Sequence, residues 1–83
     1  MNYGIVFSDL ADSQLKQLNK DTQIRVIKRL RRMSENPFLF VKRLAGIEFY
    51  SLRIGNYRVI LKIETNQQIM LIARMGHSRD VYK

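Results

Sequence analysis

Tyr3, Ile5 and Phe7 alternate with polar or small neighbours, the period of a half-buried strand. Ser8 and Asp9 follow as N-cap candidates, and Ala11, Leu15 and Leu18 recur at i, i+4 and i+7, which predicts a short helix over about residues 8–18. Asn19-Lys20-Asp21 interrupts it, and Asp21 or Thr22 is the expected cap of a second helix that runs to about Ser34. On a wheel of about 100° per residue, Val26, Ile27, Leu30 and Met33 share one arc, and Arg25, Lys28, Arg29 and Arg32 share the opposite one. The apolar stripe reads as core. The basic arc reads most simply as a solvated face, with an RNA-contacting surface as the alternative. Asn36-Pro37 ends the helix, because a residue before proline avoids the α region.

Residues 38–46 read as a connector, and from Ile47 the period changes to two. Tyr50, Leu52 and Ile54 alternate with Phe49, Ser51 and Arg53, and Gly55-Asn56 has the composition of a two-residue hairpin loop. Residues 57–63 continue as a strand, residues 64–68 as a polar loop, and residues 69–75 as a last strand closed by Gly76. The order β-α-α-β-β-β predicts a single α+β domain spanning residues 1–83, with two N-terminal helices packed on one face of a mainly antiparallel sheet.

That hairpin loop pairs Ile54 with Tyr57 and sets Arg53 directly opposite Arg58. Like charges facing each other across a ladder are destabilising, so an anion is expected between them. A five-residue loop at 64–68 would pair Ile63 with Ile69, align Arg74 with Arg58, and put Ile60, Met70 and Ile72 on the same face as the arginines. Tyr57, sharing parity with Val59 and Leu61, is expected to pack inward.

Charge sharpens this picture. Fifteen Lys+Arg face seven Asp+Glu, a formal net charge of +8, and nine of the cations are arginine. This balance points to nucleic acid, ribosomal RNA or an acidic protein as partner, since arginine suits bidentate phosphate binding. Lys42 and Arg43 in the connector join Arg74 as candidate RNA contacts. With no cysteine and one histidine, disulfides and thiolate metal sites are excluded, and no metal or other cofactor is expected. No apolar run approaches the roughly 20 residues of a membrane span, and the N-terminus lacks the pattern of a secretory signal, so a soluble cytoplasmic protein is expected.

Two stretches then carry a resemblance. Arg43-Leu44-Ala45-Gly46 followed by Tyr50-Ser51-Leu52-Arg53-Ile54-Gly55-Asn56-Tyr57-Arg58 is similar to the L-x-G … Y-x-x-R-x-G-x-Y-R pattern of RelE-family toxins. Gly76-His77-Ser78-Arg79-Asp80-Val81-Tyr82 resembles that family's closing G-H-R-x-x-x-Y. The resemblance covers essentially the whole chain. It implies the microbial-RNase-like RelE fold of the RelE/ParE toxin superfamily and a ribosome-dependent endoribonuclease that cuts messenger RNA in the A site by 2′-hydroxyl attack. By position, Arg53 and Arg58 would clamp the phosphate, Tyr82 and His77 would move protons, and Arg79 would hold the leaving side or contact RNA. It further implies an acidic RelB-like antitoxin that folds on binding, with the free toxin a monomer and the complex a heterodimer or heterotetramer, and the ribosome and messenger RNA as the remaining partners.

The chain departs from the family where Ser78 replaces a cation after the histidine, and where Ser51 replaces the lysine that some members carry two residues before the strand arginine. Glu48 is a further, weaker candidate base near the arginine pair. Two other functions stay open: a ParE-like toxin that poisons DNA gyrase on the same fold, and a non-catalytic RNA- or protein-binding member.

Overall fold

The computed structural model describes residues 2–79. The first strand, β1 (Gly4–Phe7), leads into Ser8, whose side chain accepts a hydrogen bond from the Ala11 N–H and so caps α1 (Asp9–Gln17). Asn19, rather than Asp21 or Thr22, caps the second helix α2 (Lys20–Met33), accepting from the Thr22 N–H at 2.9 Å. The second helix thus starts at least two residues earlier than the sequence suggests. Leu18 cannot continue α1 once it is extended, and Asn19 starts the next turn at once.

Residues 38–46 are not a structureless connector. A turn of 3-10 helix, Pro37–Leu39, is followed by a two-residue edge strand β2 (Lys42–Arg43) paired antiparallel to β3 (Tyr50–Ile54). Two residues are too few to show a period of two. Gly46, at φ +79°, sits in the turn that joins β2 to β3, and Ile47 to Phe49 belong to that turn and not to the strand. The sheet is completed by β4 (Tyr57–Glu64) and β5 (Ile69–His77), in the order β1-β5-β4-β3-β2. Only the β1–β5 pairing is parallel.

Both helices cover one face of this sheet. The core joins Ala11 of α1 and Val26, Leu30 and Met33 of α2 to Leu52, Val59, Leu61, Met70 and Ile72, all at most 1% exposed. Tyr57 shares the inward parity of Val59 and Leu61, as expected.

The β3–β4 register is the expected one: Ile54 pairs with Tyr57 and Arg53 with Arg58, with Gly55 at φ +58° in the loop. The β4–β5 register is not. The loop is residues 65–68, so Glu64 pairs with Ile69 and Ile63 with Met70. Gln68 adopts φ +55°, a conformation its residue type does not announce. This one-residue change turns Met70 and Ile72 into the core, both at 0% exposure, instead of onto the arginine face. Among the described residues no helix is long and apolar enough to cross a membrane.

Candidate functional site

A slip of one residue should have carried Arg74 into the core as well. It does not, because β5 is bulged. Leu61 pairs with Ile72 but Ile60 pairs with Arg74, so Ala73 is an extra residue that resets the alternation. The bulge is held by α1. The Ser8 hydroxyl donates to the Ala73 carbonyl at 2.7 Å, the Ser8 N–H donates to the Ile72 carbonyl, and the Gln14 side-chain oxygen accepts from the Met75 N–H at 2.7 Å. Backbone groups freed from the ladder are thereby satisfied locally.

Two cross-strand rows result on the face away from the helices. Arg53, Arg58 and Gly76 form one row, and Ser51, Ile60 and Arg74 form the next. Arg58 and Arg74 are therefore diagonal neighbours and not the directly opposed pair expected from sequence. Gly76, opposite Arg58, leaves the space above that position free of a side chain.

The Nε atoms of Arg58 and Arg74 are both shut off from solvent and neither has a hydrogen-bond partner. An unsatisfied buried donor costs on the order of 1–3 kcal/mol, and more for a charged group. The two residues are themselves half-buried, so that two guanidinium groups at diagonal positions share one sheet face. Arg53 behaves differently. Its side chain is exposed, curls back so that Nε donates to the Gly55 carbonyl at 3.0 Å, and reaches the rim that faces α2.

Other candidates fall on either side. Lys42, paired with Ser51, lies on the arginine face, whereas Arg43, paired with Tyr50, has the opposite parity. His77 pairs with Tyr57 and stacks on it edge to face, with centroids 5.9 Å apart, on the helix side of the sheet and away from Arg58. Its Nδ1 meets the Arg79 N–H at a long 3.5 Å, and Arg79 itself is exposed. The Ser78 N–H donates to the Asn56 carbonyl at 2.8 Å, so the chain leaves β5 beside the hairpin tip that carries Arg53 and Arg58. Tyr82 lies outside the described residues. Glu48 meets Lys62 at 3.8 Å in an exposed pair, apart from the arginine rows. Ser51 is buried between Lys42 and Ile60.

The face thus concentrates positive charge around two unpaired guanidinium nitrogens. It can bind an oxyanion and stabilise added negative charge on it. Among the described residues it carries no carboxylate or imidazole placed to move a proton.

One more feature escaped the sequence reading. The basic arc of α2 is exposed, as expected, but Arg25, Lys28, Arg29 and Arg32 also line, with Arg53, a groove of about 880 Å³. Their i, i+3, i+4, i+7 spacing was visible, but the opposing hairpin wall was not.

Residues 5–82 match the model of a family described as the ParE toxin of type II toxin–antitoxin systems, parDE. A search of curated protein sequences gave no match. Among solved structures, the chain is similar to the RelBE2 toxin–antitoxin complex of Mycobacterium tuberculosis, with 24% identity, a TM-score of 0.84, and coverage of 93% of this chain and 99% of that one. It is similar to the archaeal RelE–RelB complex of Pyrococcus horikoshii, with 22% identity, a TM-score of 0.82, and coverage of 98% and 100%. The isolated RelE toxin of E. coli matches at 19% identity with a TM-score of 0.82, over 96% of this chain and 90% of that one. The helices and five-stranded sheet described above are thus the RelE fold.

Proposed function

We propose that this chain, which belongs to the ParE toxin family of type II toxin–antitoxin systems within the RelE/ParE superfamily, arrests growth by cutting messenger RNA on the ribosome. The observation that carries the reading is the pair of buried, unpartnered guanidinium nitrogens on Arg58 and Arg74. A phosphodiester offers acceptors to these half-buried guanidinium groups, and its attacked form carries more charge for them to hold.

In the proposed step, the ribose 2′-oxygen attacks the adjacent phosphorus and the bond from phosphorus to the 5′-oxygen breaks. The 2′-hydroxyl proton leaves to a base, and the 5′-oxygen takes up a proton. A cyclic phosphate and a 5′-hydroxyl remain. Arg58 and Arg74 stabilise the pentavalent intermediate, and Lys42 contacts the strand on the same face. Arg53 and Arg79 bracket the hairpin tip and contact RNA at its rim. Tyr82 is the proton-carrying group. His77 is a positioning residue: from the helix side of the sheet it meets the Arg79 N–H and stacks on Tyr57. The ribosome supplies most of the proximity, which suits a site with so small an acid–base set.

The regulator is an acidic antitoxin that folds on this basic chain. The similarity to structures solved as RelB–RelE complexes supports it. Purified wild type and Arg58→Ala, compared in a translation reaction with mapping of RNA ends, test the catalytic reading. A second reading, gyrase poisoning, is favoured by the ParE match itself and by Ser51 and Ser78 standing where RelE toxins carry cations.

A further inference from the structure

The geometry points to a second phosphate-binding site, separate from the arginine face, in the groove between α2 and the β3–β4 hairpin tip. This inference rests on the RNA-cutting reading for the identity of its ligand. The groove holds five cations, Arg25, Lys28, Arg29, Arg32 and Arg53, against one carboxylate, Asp21. Neither ion pair found among the described residues involves any of the five.

Arg25 with Arg29, and Lys28 with Arg32, are like charges at i, i+4 on one helix, a mildly destabilising arrangement that a bound anion would relieve. At Gly55 a Cβ would sit 3.1 Å from the Arg25 guanidinium, so the two groove walls meet closely there, and the Arg29 guanidinium lies 5.7 Å over the Phe40 ring. The eight residues from Arg25 to Arg32 carry the row of cations over about 10 Å of helix.

The lining favours nucleic acid over an acidic protein helix. Only two of its side chains are aliphatic, Ile24 and Ile54, and of these only Ile24, at 47%, is exposed. A protein interface needs a contiguous apolar centre, which this groove lacks. Four of the five cations are arginines, with fixed donor forks matched to phosphate oxygens. Arg53 connects the two sites, since it lines the groove and is the register partner of Arg58. The groove therefore holds the backbone of an RNA strand outside the scissile position.

The test is binding of the full chain to an uncleavable 2′-O-methyl RNA of about 20 nucleotides, long enough to span both sites, across a salt series. For the triple variant Arg25→Ala/Arg29→Ala/Arg32→Ala the expected result is a loss of roughly tenfold to a hundredfold at low salt. The slope of log affinity against log salt should fall by about two. Arg58→Ala, by contrast, should lower that slope by less than one. Should the triple variant melt below wild type, Arg25→Glu alone must still reduce both affinity and slope. A triple variant that binds the oligonucleotide within twofold of wild type at an unchanged slope overturns the inference. So does one that keeps RNA binding but loses binding to polyglutamate, which would make the groove a protein dock. A wild type that binds RNA through the groove yet cuts no message overturns the cleavage reading and leaves this site standing.

Discussion

In the proposed cleavage, Arg58 is the residue on which the chemistry turns. Its partner Arg53 faces it across a hairpin fixed by Gly55, and its Nε is buried without an acceptor. Loss of one preorganised donor to a developing oxyanion costs on the order of 10²–10³ in rate. Arg58→Ala should therefore abolish growth inhibition, while its melting temperature stays near or above wild type because an unsatisfied buried donor has gone. Lysine at this position should restore activity only in part, since an ammonium makes no bidentate contact. Arg31→Ala, exposed on α2 and outside the groove, should remain fully toxic. Growth assays paired with melting curves decide the matter. Equal cleavage rates for wild type and Arg58→Ala would remove the residue from the site. The Arg53–Arg58 pairing was legible in the sequence, because a two-residue loop leaves one register. The inward side of His77 was not, because it depends on where β5 is bulged.

The bulge is the element that assembles the site. Without an extra residue at Ala73, the register that buries Met70 and Ile72 would also send Arg74 inward. Nothing in Ile69 to Met75 signals it, and the 65–68 turn hides equally well behind Gln68. What the sequence does show is Ser8, read as a helix cap, and the structure gives the same hydroxyl a second bond to the Ala73 carbonyl. Ser8→Ala should then lose more than a cap alone, about 1–2 kcal/mol. For a domain of this size each kcal/mol is roughly 4–8 °C of melting temperature. RNA affinity should fall together with stability, because Arg74 loses its anchor. Asn19→Ala, which removes a cap of similar worth at α2, should lower the melting temperature and leave RNA affinity unchanged. If the two variants lower RNA affinity equally, the bulge is not what positions Arg74.

At the scale of the whole molecule, an 83-residue chain with a net charge of +8 folds around one modest core and leaves Phe38, Leu39, Phe40 and Ile47 exposed, Leu39 to 74%. Small size, self-repulsion and uncovered apolar side chains all favour binding of an acidic partner. A partner present at a thousandfold over its dissociation constant adds about 4 kcal/mol. Co-expression with the antitoxin should then raise the melting temperature by about 15 °C or more, and an unchanged melting curve would refute the acidic-partner reading. Fold class, hairpin and charge could all be read from sequence because each is local or compositional, whereas β2 and the groove depend on which distant segments meet. Whether this charge is aimed at messenger RNA is decided by adding the purified chain to a translation reaction and mapping the message by primer extension. Ribosome-dependent breaks within codons, ending in cyclic phosphate and 5′-hydroxyl, are expected with wild type, and none with Arg58→Ala. An intact message, together with failure of DNA supercoiling by gyrase, would contradict the proposed cleavage.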